Sequence, residues 1–379
     1  MNYQKFWNFE TMKNKIIGLL LLILIFSSCG IMRPKWKSVI LRSENVQIAD
    51  LLGIKHDALK KQKSKPIYQF SPSELDLYLG YLQSVEPDLR KRVQHLARKC
   101  LGQPYQIFLL GEFPYEIYDP DPLFSLEKGD CVIFSEHIYA MALSYDWKSF
   151  FAMLQRIRYK NGEIGLASRN HYTEFDWDVN NSWLVEDMTE QLAASQTAYE
   201  TTVVDRGKFL SRWGLGQTIP VDTVTWSYIP FQLLPQIINK LQPGDFVNIV
   251  RGYETNKWVG HVGLITVSED GTVNFLHSTN PKVKEQPLME LFNTAEKYNG
   301  DRRLYNEKVR LENQKIIAHN KKLREKNNGI KSPKEKRLQR TRAYFYGFKF
   351  LRLREDPIWE LMKIDGAFAP KMKISPIFD

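Results

Sequence analysis

The sequence predicts an α+β protein in which an antiparallel sheet packs against a helix that begins at a cysteine, with further helices around it. Three observations predict this. Apolar residues recur at helical spacing between Leu75 and Cys100; from 102 to 300 they fall instead into short runs bounded by turn residues; and Gly129-Asp130-Cys131 heads an apolar helical stretch. The 379 residues, 43% hydrophobic and 25% charged, fit one large domain or two and exclude a collagen-like or mainly disordered chain. Three cysteines exclude a disulfide scaffold.

Taken in order, Lys13 and Lys15 precede an eleven-residue apolar run, Ile16 to Phe26. A spanning helix needs roughly 18 to 20 such residues, so the run reads as a signal-peptide core. The run leads through Ser27 and Ser28 into Cys29-Gly30, which resembles the lipobox of bacterial lipoproteins. That resemblance implies a signal peptide over 1–29, acyl chains on Cys29, and a protein anchored to a bacterial envelope membrane, facing the periplasm or exterior. Ordinary cleavage near Ser28 without a lipid is the plainer alternative. Residues 30–66 are rich in Lys without a long apolar period and read as a tether, with one short helix near Val46 to Leu52. A domain is expected over 67–356, with a C-terminal tail over 357–379.

Ser71-Pro72-Ser73-Glu74 predicts a helix start: Ser71 caps, Pro72 suits the first helical position, and Glu74 completes a capping box. Leu75, Leu79 and Leu82 would face the core. A second helix from about Asp88 would bury Val93, Leu96, Ala97 and Cys100 and end at Gly102. Phe246 to Val250, Val262 to Val267 and Val273 to Leu276 read as strands, with Asp270-Gly271 as a hairpin turn. Residues 302–342 hold fifteen basic against four acidic residues, a net +11, so the rest of the chain carries −1 of the total +10. They read as a solvated helix plus a loop broken at Gly329 and Pro333. Because Tyr344 to Leu353 looks like a returning strand, the basic piece is an insertion inside the domain. Without interleaved aromatics it gives no case for nucleic acid; a solvated helix is the default reading, and attraction to anionic lipid or lipopolysaccharide the sharper one.

Cys131 is the residue with chemistry. A helix N-terminus carries about half a positive charge and unpaired N–H groups, which favour thiolate and can hold an oxyanion. His137, six residues along the same helix, points elsewhere and is read as structural. His261 opens a strand between Gly260 and Gly263, and His277 lies on its partner strand. If Val267 pairs with Gly271, His261 falls directly opposite His277, close enough for one ring to orient the other.

The succession Leu101-Gly102-Gln103-Pro104-Tyr105, Asp130-Cys131, Leu241 to Phe246 with Gly244-Asp245, His261-Val262-Gly263-Leu264 and Leu276-His277-Ser278 resembles the papain-like NlpC/p60 cysteine peptidases. Arg169-Asn170-His171-Tyr172, Asp176-Trp177, Ser227 to Pro230 and the Gly347 to Arg354 strand make it similar to their N-acetylmuramoyl-L-alanine amidase-like branch. The resemblance spans about Leu96 to Arg354. It implies a papain-like amidase domain with Cys131 as nucleophile, His261 as base and then acid, and His277 as the residue that fixes the imidazole. It further implies substrate contact by Tyr105, Arg169, His171, Tyr172 and Trp177, peptidoglycan fragments as substrate, and no cofactor or metal. The expected reaction cuts the amide between N-acetylmuramic acid and L-alanine. Three alternatives stand beside it: an endopeptidase cutting between D-glutamate and the diamino acid, an inactive papain-like lipoprotein that binds muropeptides, and a zinc hydrolase using His171, His261 and Asp176, for which no HExxH spacing exists.

Overall fold

Among the described residues eight strands form one sheet, every pair antiparallel. They are β1 Val185–Asp187, β2 Ala198–Val204, β3 Asp222–Pro230, β4 Phe246–Tyr253, β5 Asn256–Val267, β6 Val273–His277, β7 Lys284–Pro287 and β8 Tyr344–Leu353. Across the sheet the order is β2-β3-β8-β4-β5-β6-β7, with β1 also paired to β8. The longer helices are α1 Ser43–Leu51, α2 His56–Ser64, α3 Pro72–Val85, α4 Leu89–Lys99, α5 Cys131–Ala142, α6 Trp147–Arg158, α7 Met289–Lys326 and α8 Pro357–Ile364. The structure, a computed structural model, describes residues 40–216 and 218–366; the signal-peptide reading and Cys29 lie outside them. From Ile40 onward the chain forms one compact unit.

Local signals explain the helices on which the site rests. The capping box of α3 is formed in both directions, Ser71 Oγ accepting from the Glu74 N–H and Glu74 from the Ser71 N–H. Asp130 caps α5 by accepting from the N–H groups of Val132 and Ile133, each at 2.9 Å. From Ile133 to Ala142 every residue of α5 is buried. One face of the sheet presents Phe246, Val262, Leu264, Leu276 and Leu351 to the core containing α5. The opposite face presents Val247, Ile249, Ile265, Phe275, Phe348 and Phe350 to the start of α7. Burial on both faces is why β4 to β6 read as nearly continuous apolar runs rather than as alternation.

The structure corrects the sequence reading in three regions. From residue 40 the supposed tether is folded: α1 and α2 bury Ala49, Ile54 and Leu59, and Gln62 donates to the Glu74 carbonyl. Its lysines mimic a solvated linker, yet Lys63 and Lys65 lie over the rings of Tyr81 and Phe70, and Lys65 also pairs with Glu74. The start of the expected C-terminal tail is α8, whose Leu361 is fully buried. In the β5–β6 hairpin, Val267 pairs with Val273 and Leu264 with Leu276. This is two residues away from the expected register, because the turn extends through Thr272, which accepts from the Ser268 N–H.

The basic insertion is an ordered arm. After the 38 residues of α7 the chain returns along the helix through 327–343 as an extended strap. Asn299, Asn306, Asn313 and Asn320, spaced by seven, grip Phe345, Arg342, Gln339 and Lys336, spaced by three. Each Asn amide donates to one backbone carbonyl, at 2.8, 2.9, 3.0 and 2.8 Å. Each Asn Oδ1 accepts the same residue's N–H, at 2.9, 2.7, 2.8 and 2.9 Å. Seven helical residues rise about 10 Å and three extended residues about the same, so the two periods match. The loop expected here is therefore tied to the helix at regular intervals.

Candidate active site

Cys131 is placed by a loop cluster that joins three distant segments. Tyr105 N–H donates to the Pro281 carbonyl, Gly129 N–H to the Pro104 carbonyl, and Ser278 Oγ to the Gly129 carbonyl at 2.8 Å. The end of β6 is thereby tied to the residues just before the cysteine. Across the sheet face, His261 Nε2 and His277 Nδ1 are 2.5 Å apart. The shifted register makes this a diagonal pair. His277 lies against Gly263, where a Cβ would come within 2.8 Å of the His277 Cβ and 2.6 Å of the Phe275 ring. Lack of a side chain at Gly263 is what lets the two imidazoles meet. Phe275 stacks on His277 with ring centroids 4.3 Å apart, fixing its plane.

Electrostatics run against the expectation of a ready thiolate. Burial pushes the Cys131 thiol up to about 12, with Asp130 adding to the rise. The N–H groups of Val262, Cys131 and Val132 pull the other way without overcoming burial. His261 and His277 are each brought down to about 3, chiefly by burial. The next causes are Arg251 at His261 and the neighbouring His261 ring at His277. The resting site thus holds a neutral thiol and two neutral imidazoles. A hydrogen bond between neutral rings needs one donor and one acceptor; with His261 donating from Nε2, its Nδ1 keeps a lone pair. His277 Nε2 then carries the second proton. No hydrogen bond of good geometry reaches that atom, although Gln286 lies near enough to favour a proton there.

A cavity of about 420 Å³ opens on the histidine pair between the sheet and the first turns of α7. Tyr105, Arg251, His261, His277, Lys284 and Tyr298 line it. Burial raises the Tyr105 phenol, and Cys131 and then Asp130 add to the rise, so this cavity residue also lies near the thiol. Arg251 and Lys284 went unread in the sequence; Lys284 is the direct partner of His277 on β7, and Arg251 stands two residues beyond Ile249, the partner of His261 on β4. A larger cavity of about 910 Å³, between Arg90, Tyr145 and Ile358, includes none of Cys131, His261 or His277.

The other motif residues are occupied elsewhere. Arg169 is held by Glu112 and Asp119, each at 2.7 Å, and by the Leu110 carbonyl at 3.2 Å. His171 Nε2 sits 2.6 Å from the Leu166 carbonyl, and its ring packs on Phe209. Tyr172 packs against Phe175 and Phe209. Trp177, expected as a flat surface for substrate, is 1% exposed. It stacks on Phe246 at 4.3 Å and donates to Glu136. Asp176 binds Arg206, so the residues of the zinc reading serve separate partners. His137 is buried, with Nδ1 2.7 Å from the Ile133 carbonyl, as a structural histidine should be.

Fold and site together define a mixed α/β protein in which a cysteine heads a buried helix, the Val262 N–H reaches its thiol, and the adjacent His261 pairs with His277. The chain belongs to the AmiA-like, N-acetylmuramoyl-L-alanine amidase-like family, whose model matches residues 95–298. No curated protein matches it at the sequence level. Among solved structures it is similar to a DUF1460-family protein of Legionella pneumophila, at 17% identity and a TM-score of 0.55, covering 76% of this chain and 95% of the other. It also matches an N-acetylmuramoyl-L-alanine amidase of Bacteroides uniformis, at 18% identity and a TM-score of 0.47, covering 70% and 99%.

Proposed function

We propose that the protein is a cysteine-dependent peptidoglycan hydrolase, of the papain-like NlpC/p60 type, that cleaves the amide between N-acetylmuramic acid and L-alanine. The observation that carries this reading is the 2.5 Å contact between His261 Nε2 and His277 Nδ1, with the N–H of Val262, next to His261, reaching the Cys131 thiol. It spends one nitrogen of His261 on orientation and leaves Nδ1 for the thiol proton. Because the resting thiol and imidazole are neutral, the proton leaves Cys131 for His261 as sulfur attacks the lactyl carbonyl. The Cys131 N–H, at the first turn of α5, is a donor for the oxyanion. Collapse breaks the C–N bond, the imidazolium returns its proton to the departing L-alanine amine, and water then hydrolyses the thioester by the reverse proton path.

Family membership supports the amidase bond. The endopeptidase alternative needs an acidic residue for a free amino terminus; Asp176 is tied to Arg206, and Glu174 accepts the Val259 N–H. On the substrate side, unspent Arg251 and Lys284 suit the carboxylates of a stem peptide better than Arg169 does. The reading also keeps the lipid anchor on Cys29 and an envelope location as proposals. Mass spectrometry of a digested disaccharide tetrapeptide tests the bond. Free tetrapeptide with the lactyl-bearing disaccharide is the expected result, and a disaccharide still carrying L-alanyl-D-glutamate would overturn it.

A further inference from the structure

We propose that the arm built from α7 and its strap is a docking surface for an anionic lipid bilayer. Fifteen basic residues lie between Arg302 and Arg342, and salt bridges with Glu307, Glu312 and Glu335 engage Arg310, Lys315 and Arg324. Twelve others have no carboxylate partner among the described residues. This is far more uncompensated charge than a solvated helix needs.

Apolar residues share that surface. Leu304 and Leu311 stand two residues before Asn306 and Asn313, and Lys308, Lys315 and Lys322 two residues after Asn306, Asn313 and Asn320. Two residues turn a helix by about 200°, so both sets lie opposite the strap-gripping asparagines. Leu304 is 67% exposed and Leu311 47%. Leucines flanked by lysines whose stems can lie along an apolar surface are the pattern of an interfacial helix: the aliphatic side chains enter the acyl boundary while the ammonium groups meet headgroup phosphates. A polyanion in solution would match the charge but leave the leucines in water. The asparagine ladder holds the strap before any surface arrives, so docking needs no folding step.

The test is vesicle co-sedimentation of the compact unit from Ile40 onward, which excludes any contribution from residues before it. Vesicles of phosphatidylglycerol and phosphatidylcholine are compared with phosphatidylcholine alone. Binding to the anionic vesicles only, lost in 1 M salt, is expected. A Lys308→Gln/Lys315→Gln/Lys322→Gln variant should lose roughly a hundredfold in partitioning, each cation near an anionic surface contributing about fivefold. Leu304→Ser/Leu311→Ser should weaken binding at unchanged charge. All five positions are on the solvent side, and circular dichroism with muropeptide hydrolysis monitors the fold independently. Equal binding to both vesicle types, no binding to either, or an unaffected triple variant would overturn the proposal. So would a leucine variant that binds as well as the native unit, since that result marks a charge-only surface.

Discussion

Two sets of polar residues, one around the Arg169–Tyr172 loop and one at the histidine cavity, have opposite fates in the fold. Around the Arg169–Tyr172 loop the polar groups are largely spent: Arg169 on two carboxylates and a carbonyl, His171 on a carbonyl, and Trp177 on Glu136 inside the core. At the cavity, His261 has one ring nitrogen engaged, and Arg251 and Lys284 have no carboxylate partner among the described residues. The difference teaches that a recognisable motif residue can be scaffold, and that unspent hydrogen-bonding capacity facing a cavity separates the reacting group from its support.

Mutagenesis can break that comparison most sharply at Cys131. Cys131→Ala should lower turnover of a muropeptide by roughly 10⁴-fold or more with an unchanged melting temperature, and His261→Ala should come close to it. His277→Ala should be roughly 10- to 100-fold milder, since an orienting ring takes no proton itself. Near-native activity in Cys131→Ala would end the thiol mechanism.

Titration of the thiol separates a neutral pair from a preformed ion pair. With Cys131 pushed up to about 12 and His261 down to about 3, the reactive thiolate is scarce at pH 7 and grows about tenfold per pH unit. Iodoacetamide labelling of Cys131, followed by peptide mass, should therefore keep rising through pH 9. A plateau reached below pH 7 would show a thiolate–imidazolium pair instead.

On the scaffold side, Arg169→Ala removes the salt-bridge partner of Glu112, which is fully buried and would keep only the Tyr159 hydroxyl and the Arg158 charge. Unfolding in urea should show a loss of about 3 kcal/mol, the cost of breaking a buried ion pair by removing one partner, with KM little changed. A raised KM at native stability would return Arg169 to the substrate. Trp177→Phe should have the smallest effect, about 1 kcal/mol for the hydrogen bond to Glu136 at 3.2 Å, and no effect on turnover.

What could be read in advance follows the range of each interaction. The caps at Ser71 and Asp130, the buried stripe of Leu75, Leu79 and Leu82, and the strands β4 to β6 are set within a few residues, so periodicity and turn chemistry reveal them. The succession of motifs around Cys131, His261 and His277 was also legible, since each is contiguous. Partners far along the chain were not. Nothing near Arg169 announces Glu112 and Asp119, and a seven-residue spacing of asparagines in α7 means little until the strap arrives to fill their amides. The hairpin register lay between these cases: its turn was visible, but whether the turn included Thr272 depended on how the strands packed. The sequence by itself determined the capped helices, the buried strands of the central sheet and the cysteine at a helix N-terminus, because those depend on local sterics and short-range hydrogen bonds. The tertiary structure decided which polar groups were consumed and which were left facing a cavity, because a buried donor or acceptor must find its partner wherever packing brings one.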